Sequence, residues 1–275
     1  MGSRGTGTVA LMSRSDELTE ELRAASDTSD VAEESLEEAK RYIDQVEYDP
    51  ARKYKEWDDT AAGGWSYDKD GKTGREQAAF FKEHSNVDEL IRDMNSDDIW
   101  AFRHMWTPGR FMDGQQYRGF DSMSPEEQRA TRIFDKYLDR ATLDRDIVVT
   151  RRATAELVMG AGKKTATLEE LRAMRGSLVT SKGSMSTGAA KEGLTIGGSK
   201  SVEYKIHIAA GTKGAGMWVG DSRINGWGPE QREYMTNRDS VYAVGRTTYD
   251  KSRHVYIVNM YYVGREPHDY GKAGK

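Results

Sequence analysis

Leu143-Asp144-Arg145-Asp146-Ile147-Val148-Val149-Thr150-Arg151-Arg152 is the stretch where the texture of the chain changes. A charged segment gives way to three β-branched residues, Ile147-Val148-Val149, which read as a short buried strand ending on arginine. Downstream, Val202, Tyr204, Ile206 and Ile208 alternate with polar neighbours, and His254 to Val263 is a long aromatic and β-branched run. Upstream the spacing is helical. Ala32, Leu36, Ala39, Ile43 and Val46 recur every three or four residues, after Asp30 as a possible N-cap and before Pro50 as a stop. Two heptads are too few for a coiled coil, so this helix is expected to pack on the body of the protein. Further helix starts are Ser96-Asp97-Asp98 before Ile99, Trp100, Phe102 and Met105, and the capping boxes Ser124-Pro125-Glu126-Glu127 and Thr167-Leu168-Glu169-Glu170. Ile133, Phe134, Tyr137, Leu138 and Ala141 form one helical stripe. Helices first and strands later predict an α+β class.

The chain has 275 residues, of which 31% are charged and none is cysteine. Thiol nucleophiles, disulfide scaffolds and thiolate zinc sites are therefore excluded. With a mean hydropathy of -0.80, it holds no apolar run near the roughly 18 residues a spanning helix needs. Met1 to Met12 lacks a signal-peptide core, so a cytoplasmic protein with no membrane partner is expected. Residues 1–60 hold 8 Lys+Arg and 16 Asp+Glu, against 33 and 29 in the remainder, so an acidic leader precedes a mildly basic body. Residues 58–76 read as linker-like. The expected organisation is an acidic helical extension over 1–60, a linker and connecting segment over 61–89, and the main domain over 90–275. The extension is expected to be dispensable for chemistry.

Several familiar patterns fail. Gly71-Lys72-Thr73 and Gly162-Lys163-Lys164-Thr165 lack the glycine five residues upstream that a phosphate loop requires; Ser66 and Leu157 stand there. Asp68-Lys69-Asp70-Gly71 lacks the rest of a calcium loop. His84, His104, His207, His254 and His268 are scattered without metal-ligand spacing, so no metal is expected.

Three patches fit together: the strand ending at Arg151, the hydroxyl-rich turn Gly183-Ser184-Met185-Ser186-Thr187-Gly188, and the loop Gly226-Trp227-Gly228-Pro229-Glu230 leading into Gln231-Arg232-Glu233. In this order they resemble the Arg…Ser-Thr-Ser…Glu/Gln-x-Glu signature of the toxin-type mono-ADP-ribosyltransferases, the family of binary-toxin enzymatic components and Rho-modifying exoenzymes. The resemblance extends upstream through the segment Ser96 to Thr107 and covers about residues 90–264. Thr150 stands where an aromatic is usual before the arginine, Arg152 follows it, Ser184 replaces a common aromatic, and Gly188 replaces the last serine of the triplet.

The resemblance implies N-terminal helices packed on a two-sheet antiparallel core with a central NAD cleft, NAD as substrate, and no metal. It implies Glu233, Gln231 and Ser186 as catalytic residues; Arg151, Ser186, Thr187 and Glu233 as the NAD site; and Trp227 and Gln231 in acceptor recognition. The residue types suit that chemistry. Arg151 offers a planar fork for phosphate, and small hydroxyls leave room for the nicotinamide ribose. An ionised Glu233 would stabilise positive charge building at the anomeric carbon. Gln231, two residues before Glu233 on a strand, shares its face. Glutamine at that first position points, within the family, to acceptors other than arginine, and a macromolecule is implied, protein favoured over nucleic acid. Toxins, effectors and phage-encoded host modifiers all carry such domains. A non-catalytic binding or structural, particle-associated module on the same fold, and plain NAD hydrolysis, stay open as alternatives, as does the oligomeric state.

Overall fold

The computed structural model describes residues 29–48, 52–57, 72–104, 119–193, 201–225 and 232–271. Helices come first: α1 (Ser29–Tyr48), α2 (Lys72–His84), α3 (Val87–Arg92), α4 (Ser96–His104) and α5 (Pro125–Leu138). The strands follow, β1 (Ile147–Ala153), β2 (Leu178–Ser181), β3 (Met185–Gly188), β4 (Val202–Ile208), β5 (Gly216–Trp218), β6 (Glu233–Thr236), β7 (Ser240–Asp250) and β8 (Val255–Arg265), with two short helices, α6 (Glu156–Met159) and α7 (Leu168–Ala173), between β1 and β2. Both expected capping boxes form. Ser124 Oγ accepts from Glu127 N and Thr167 Oγ1 from Glu170 N, each carboxylate reaching back to the cap amide. At α4 the cap lies one residue earlier than Ser96: Asn95 Oδ1 accepts from Asp97 N and Asp98 N, both at 2.9 Å.

The strands form one eight-stranded sheet in the order β2-β7-β8-β4-β1-β3-β6-β5. Every neighbouring pair is antiparallel except β4 with β8. The two expected sheets are thus two halves of one hydrogen-bonded order. β1 pairs β4 along all seven of its residues but meets β3 only at Thr150↔Gly188, so a five-stranded half joins a three-stranded half through a single residue pair. α5 buries Ile133, Phe134, Tyr137 and Leu138 in the main core. A buried phenylalanine or leucine contributes about 1.5–3 kcal/mol.

Helix α1 of the acidic leader packs on this body. Ile43 and Val46 of α1 pack on Val241, Ala243, Tyr261 and Val263, on a face of β7 and β8. A register shift between Val244 and Thr247 opens β7, and there Glu47 Oε1 accepts the Arg246 amide at 2.6 Å. Gly245 permits that approach, since a Cβ would lie 2.5 Å from the Glu47 oxygen. Lys55 lies beside Ile147 as a parallel bridge, donating to Asp146 O at 2.8 Å and accepting from Val148 N at 3.0 Å. Trp57 is buried against Phe80 and Phe81. Helix α1 and Lys55 to Trp57 thus pack on the main domain, and removal of α1 would uncover apolar surface on β7 and β8. Of the linker-like stretch, residues 58–71 lie outside the described residues, and 72–76 form the first turns of α2.

Two histidines give the fold opposite pH responses. His207 stacks on Tyr261 (centroids 4.5 Å apart) and meets the edge of Tyr54 (4.9 Å), with Nε2 2.9 Å from Asn259 Oδ1. Burial pushes its pKa down to about 4. His268 lies between Asp139 and Asp239, each 3.0 Å from a ring nitrogen; burial opposes its charge, but those hydrogen bonds outweigh it and raise the pKa. A depressed histidine leaves the unfolded chain, titrating near 6.5, to take up the proton first, so stability falls as pH drops from about 6.5 toward 4, by at most roughly 3 kcal/mol. A raised histidine acts in reverse: its stabilisation is complete below about 6.5 and is lost as pH rises through its folded pKa. We expect thermal denaturation of His207→Phe to show a flatter acid limb than the parent, and of His268→Gln a flatter limb above pH 6.5; unchanged slopes would refute the assignments.

Candidate active site

Three strands each deliver one of the expected residues to a common place. Arg151 is the fifth residue of β1, opposite Tyr204 of β4, while Arg152 lies opposite Glu203. Consecutive strand residues point to opposite faces, so the two arginines part company. The Arg151 guanidinium donates from Nη1 to the backbone oxygen of Ser186 at 2.7 Å. Ser186, on β3, donates its hydroxyl to Glu233 Oε1 on β6. Arg151 and Ser186 are half-buried and Glu233 is 6% exposed. Arginine, serine and glutamate thus form one contiguous line across β1, β3 and β6.

Thr187 is not in that line. It is 4% exposed and donates its hydroxyl to Tyr234 O at 2.5 Å, because it occupies the other face of β3 from Ser186. Its side chain binds β3 to β6, away from the line that Ser186 shares with Glu233. Ser184 is buried as well, at 3% exposure. Gln231 and Trp227 lie outside the described residues.

The surroundings hold the line in place. Arg232, immediately before Glu233, has φ 51, a left-handed conformation rare for a side-chain-bearing residue. Its carbonyl accepts from Ala189 N at 2.9 Å. Below β6, Phe81 of α2 stacks on Trp218 at 4.8 Å and leans on Tyr234 at 5.5 Å. Gln77, fully buried on α2, donates to Ala189 O at 2.6 Å, just beyond β3. Sequence reasoning passed over Gln77; a polar residue one helical turn before Phe81 was the available signal. Tyr242 of β7 is fully buried, and burial pushes its hydroxyl up to about 12 against the opposing charge of Arg151. On the other face, Glu203 accepts both arms of the Arg253 fork (2.8 and 3.1 Å) and the amide of Gly193 at 3.0 Å.

The donor set suits NAD: a guanidinium for phosphate, a small hydroxyl and a fixed carboxylate beside it. Among the described residues there is no group of three or more His, Asp or Glu placed to hold a metal ion, and no helix long and apolar enough to cross a membrane.

Residues 115–262 match the model of the ADP-ribosyltransferase exoenzyme family. Among solved structures the chain is similar to C3stau2 from S. aureus, crystallised with NAD, at 14% identity and TM-score 0.57 over 78% of this chain and 100% of that one. It is similar also to Plx2a, an ADP-ribosyltransferase toxin from Paenibacillus larvae, at 14% identity and TM-score 0.57 over 69% and 96%. The Clostridium limosum C3 exoenzyme matches at 14% identity and TM-score 0.53 over 77% and 98%. No curated protein matches the sequence. Identities this low establish a shared fold, whereas the family model spans more than half of the sequence: the chain belongs to the ADP-ribosyltransferase exoenzyme family and is an NAD-dependent ADP-ribosyltransferase.

Proposed function

We propose that this enzyme transfers ADP-ribose from NAD to a protein side chain other than arginine, with Arg151 holding the NAD phosphates, Ser186 orienting the carboxylate, and Glu233 as the catalytic group. The observation that carries the reading is the continuous line from the Arg151 guanidinium through Ser186 to Glu233. NAD supplies a ribose whose bond to nicotinamide leaves positive charge on the anomeric carbon when it breaks. A carboxylate fixed by a strand and a serine stabilises that charge without having to reorganise as it develops. Arg151 donates one arm to Ser186 O and brings a planar guanidinium whose geometry suits anionic oxygen.

The acceptor reading rests on Gln231, two residues before Glu233 in the sequence, and on Trp227 upstream of it. A neutral amide both donates to and accepts from an amide-type acceptor, whereas a carboxylate at that position would suit a guanidinium. Plain NAD hydrolysis and a non-catalytic role are the other outcomes of the assay below.

With labelled NAD and a cell lysate, transfer of label to protein supports the reading, release of free ADP-ribose alone supports hydrolysis, and neither supports a binding module. Glu233→Gln should lower transfer by roughly 100- to 1,000-fold while NAD titration stays nearly unchanged. Wild-type turnover would remove Glu233 from its role. In NAD titrations Arg151→Lys should weaken binding about tenfold or more, the loss of a charge-assisted hydrogen bond, and Arg152→Lys should change it less than about threefold; the reverse order would move the assignment by one residue. Gln231→Glu should reduce labelling of the natural acceptor and leave NAD hydrolysis largely intact. An equal loss of both would make Gln231 part of the NAD site instead.

A further inference from the structure

The three site residues sit on β1, β3 and β6, but the joints between those strands are unequal. β3 and β6 share four residue pairs, Met185↔Thr236 to Gly188↔Glu233. β1 and β3 share one, Thr150↔Gly188. A ladder of several pairs fixes both the spacing and the angle of two strands, while a single pair leaves the angle to be set by something else. The spacing between Arg151 and Glu233 depends on that weak joint.

Thr150 immediately precedes Arg151 and is 2% exposed. Its hydroxyl lies 2.9 Å from Ala190 O and 3.3 Å from Gly188 O, so it bridges from β1 to the chain on both sides of Ala189. Ala189 itself is gripped from two other directions, its amide donating to Arg232 O at 2.9 Å and its carbonyl accepting from Gln77 at 2.6 Å. Gly188 lies opposite Glu233, and Arg232 directly precedes Glu233. The hydroxyl of Thr150 is therefore tied, through two residues of β3 and its extension, to the backbone that carries the carboxylate. The path is short. It supplies one hydroxyl proton, shared between two carbonyls, where the backbone ladder runs out.

We infer that Thr150 is a positioning residue that sets the Arg151-to-Glu233 geometry through its hydroxyl, acting on the chemical step without touching NAD. The inference rests on the roles proposed for Arg151, Ser186 and Glu233. A valine at this position keeps the shape and the β-branch but cannot donate, and a serine keeps the donor alone.

The test measures kcat for labelled-NAD cleavage, the Kd for NAD and the thermal midpoint in Thr150→Val and Thr150→Ser of the full chain. Misplacement of reacting groups by a fraction of an ångström to 1 Å costs on the order of 10- to 100-fold in rate. Thr150→Val should lose about that much in kcat with Kd changed less than about threefold, and Thr150→Ser should recover to within about threefold of the parent. A valine variant with wild-type kcat, or a serine variant no better than valine, would overturn the inference. If Thr150→Val does not fold, Thr150→Ala compared with Thr150→Ser at a temperature where both are folded gives the same decision. Glu233→Gln run alongside separates the two levels: activity in that variant overturns the site assignment, while an inactive Glu233→Gln beside a fully active Thr150→Val overturns this inference alone.

Discussion

The single pair Thr150↔Gly188 is the constraint on which the rest of the structure depends. Backbone hydrogen bonding would otherwise divide the strands into a five-stranded and a three-stranded unit, with Arg151 on one and Ser186 and Glu233 on the other. Because a twisted sheet this wide tends to split or curl, a joint of one residue pair is a natural place for a change of direction. The apolar contacts then work across the joint: Phe81 of α2 reaches Trp218 and Tyr234 on the smaller half, while Trp57 beside it belongs to the segment that pairs with β1 on the larger. Helix α2 thus splints the two halves from one side.

A second fastening is electrostatic. Arg238, just beyond β6, forks onto Asp135 of α5 at 2.9–3.1 Å and donates to Asp239 at 2.9 Å, all three side chains being 5% exposed or less. Tyr270 donates to Asp135 at 2.8 Å, with Arg238 and Arg132 lying over its ring. A buried ion pair offers little net stability over an apolar pair, but losing one partner costs about 3–5 kcal/mol. What such a cluster fixes is registration: α5 and the β6–β7 turn can meet in one alignment only.

The α+β class and the three residues that the strands bring together were legible in the sequence, and the pairing of the strands was not. Arg151, Ser186 and Glu233 stand out because few other side chains do what each does, and their order survives without knowledge of which strands touch. Thr187 falls on the other face of β3 from Ser186, because neighbours in a strand face opposite ways, and a sequence pattern that reads the two as one unit does not show this. Gln77 was missed because it directly follows the stretch 58–76 that reads as linker. Strand β7 was missed because Gly245 and Arg246 interrupt its apolar alternation, an irregularity that has a purpose only once Glu47 of α1 is seen against it. The parallel pairing of β4 with β8 leaves no local trace at all, since the choice of partner belongs to the assembled sheet.

That α1 docks on β7 and β8 has a bearing on how the protein is made. Ile43 and Val46 leave the ribosome early, but Val241, Ala243, Tyr261 and Val263 are synthesised some two hundred residues later. At 5–20 residues per second the helix waits on the order of 10–40 s for the surface that covers it. An acidic sequence suits that interval, because Glu37, Asp44 and Glu47 keep the nascent segment solvated while its apolar stripe has nothing to pack against. The charge that made the leader look like a separate appendage is then a property of the chain before it is finished, useful to a segment that must stay soluble until the last strands arrive.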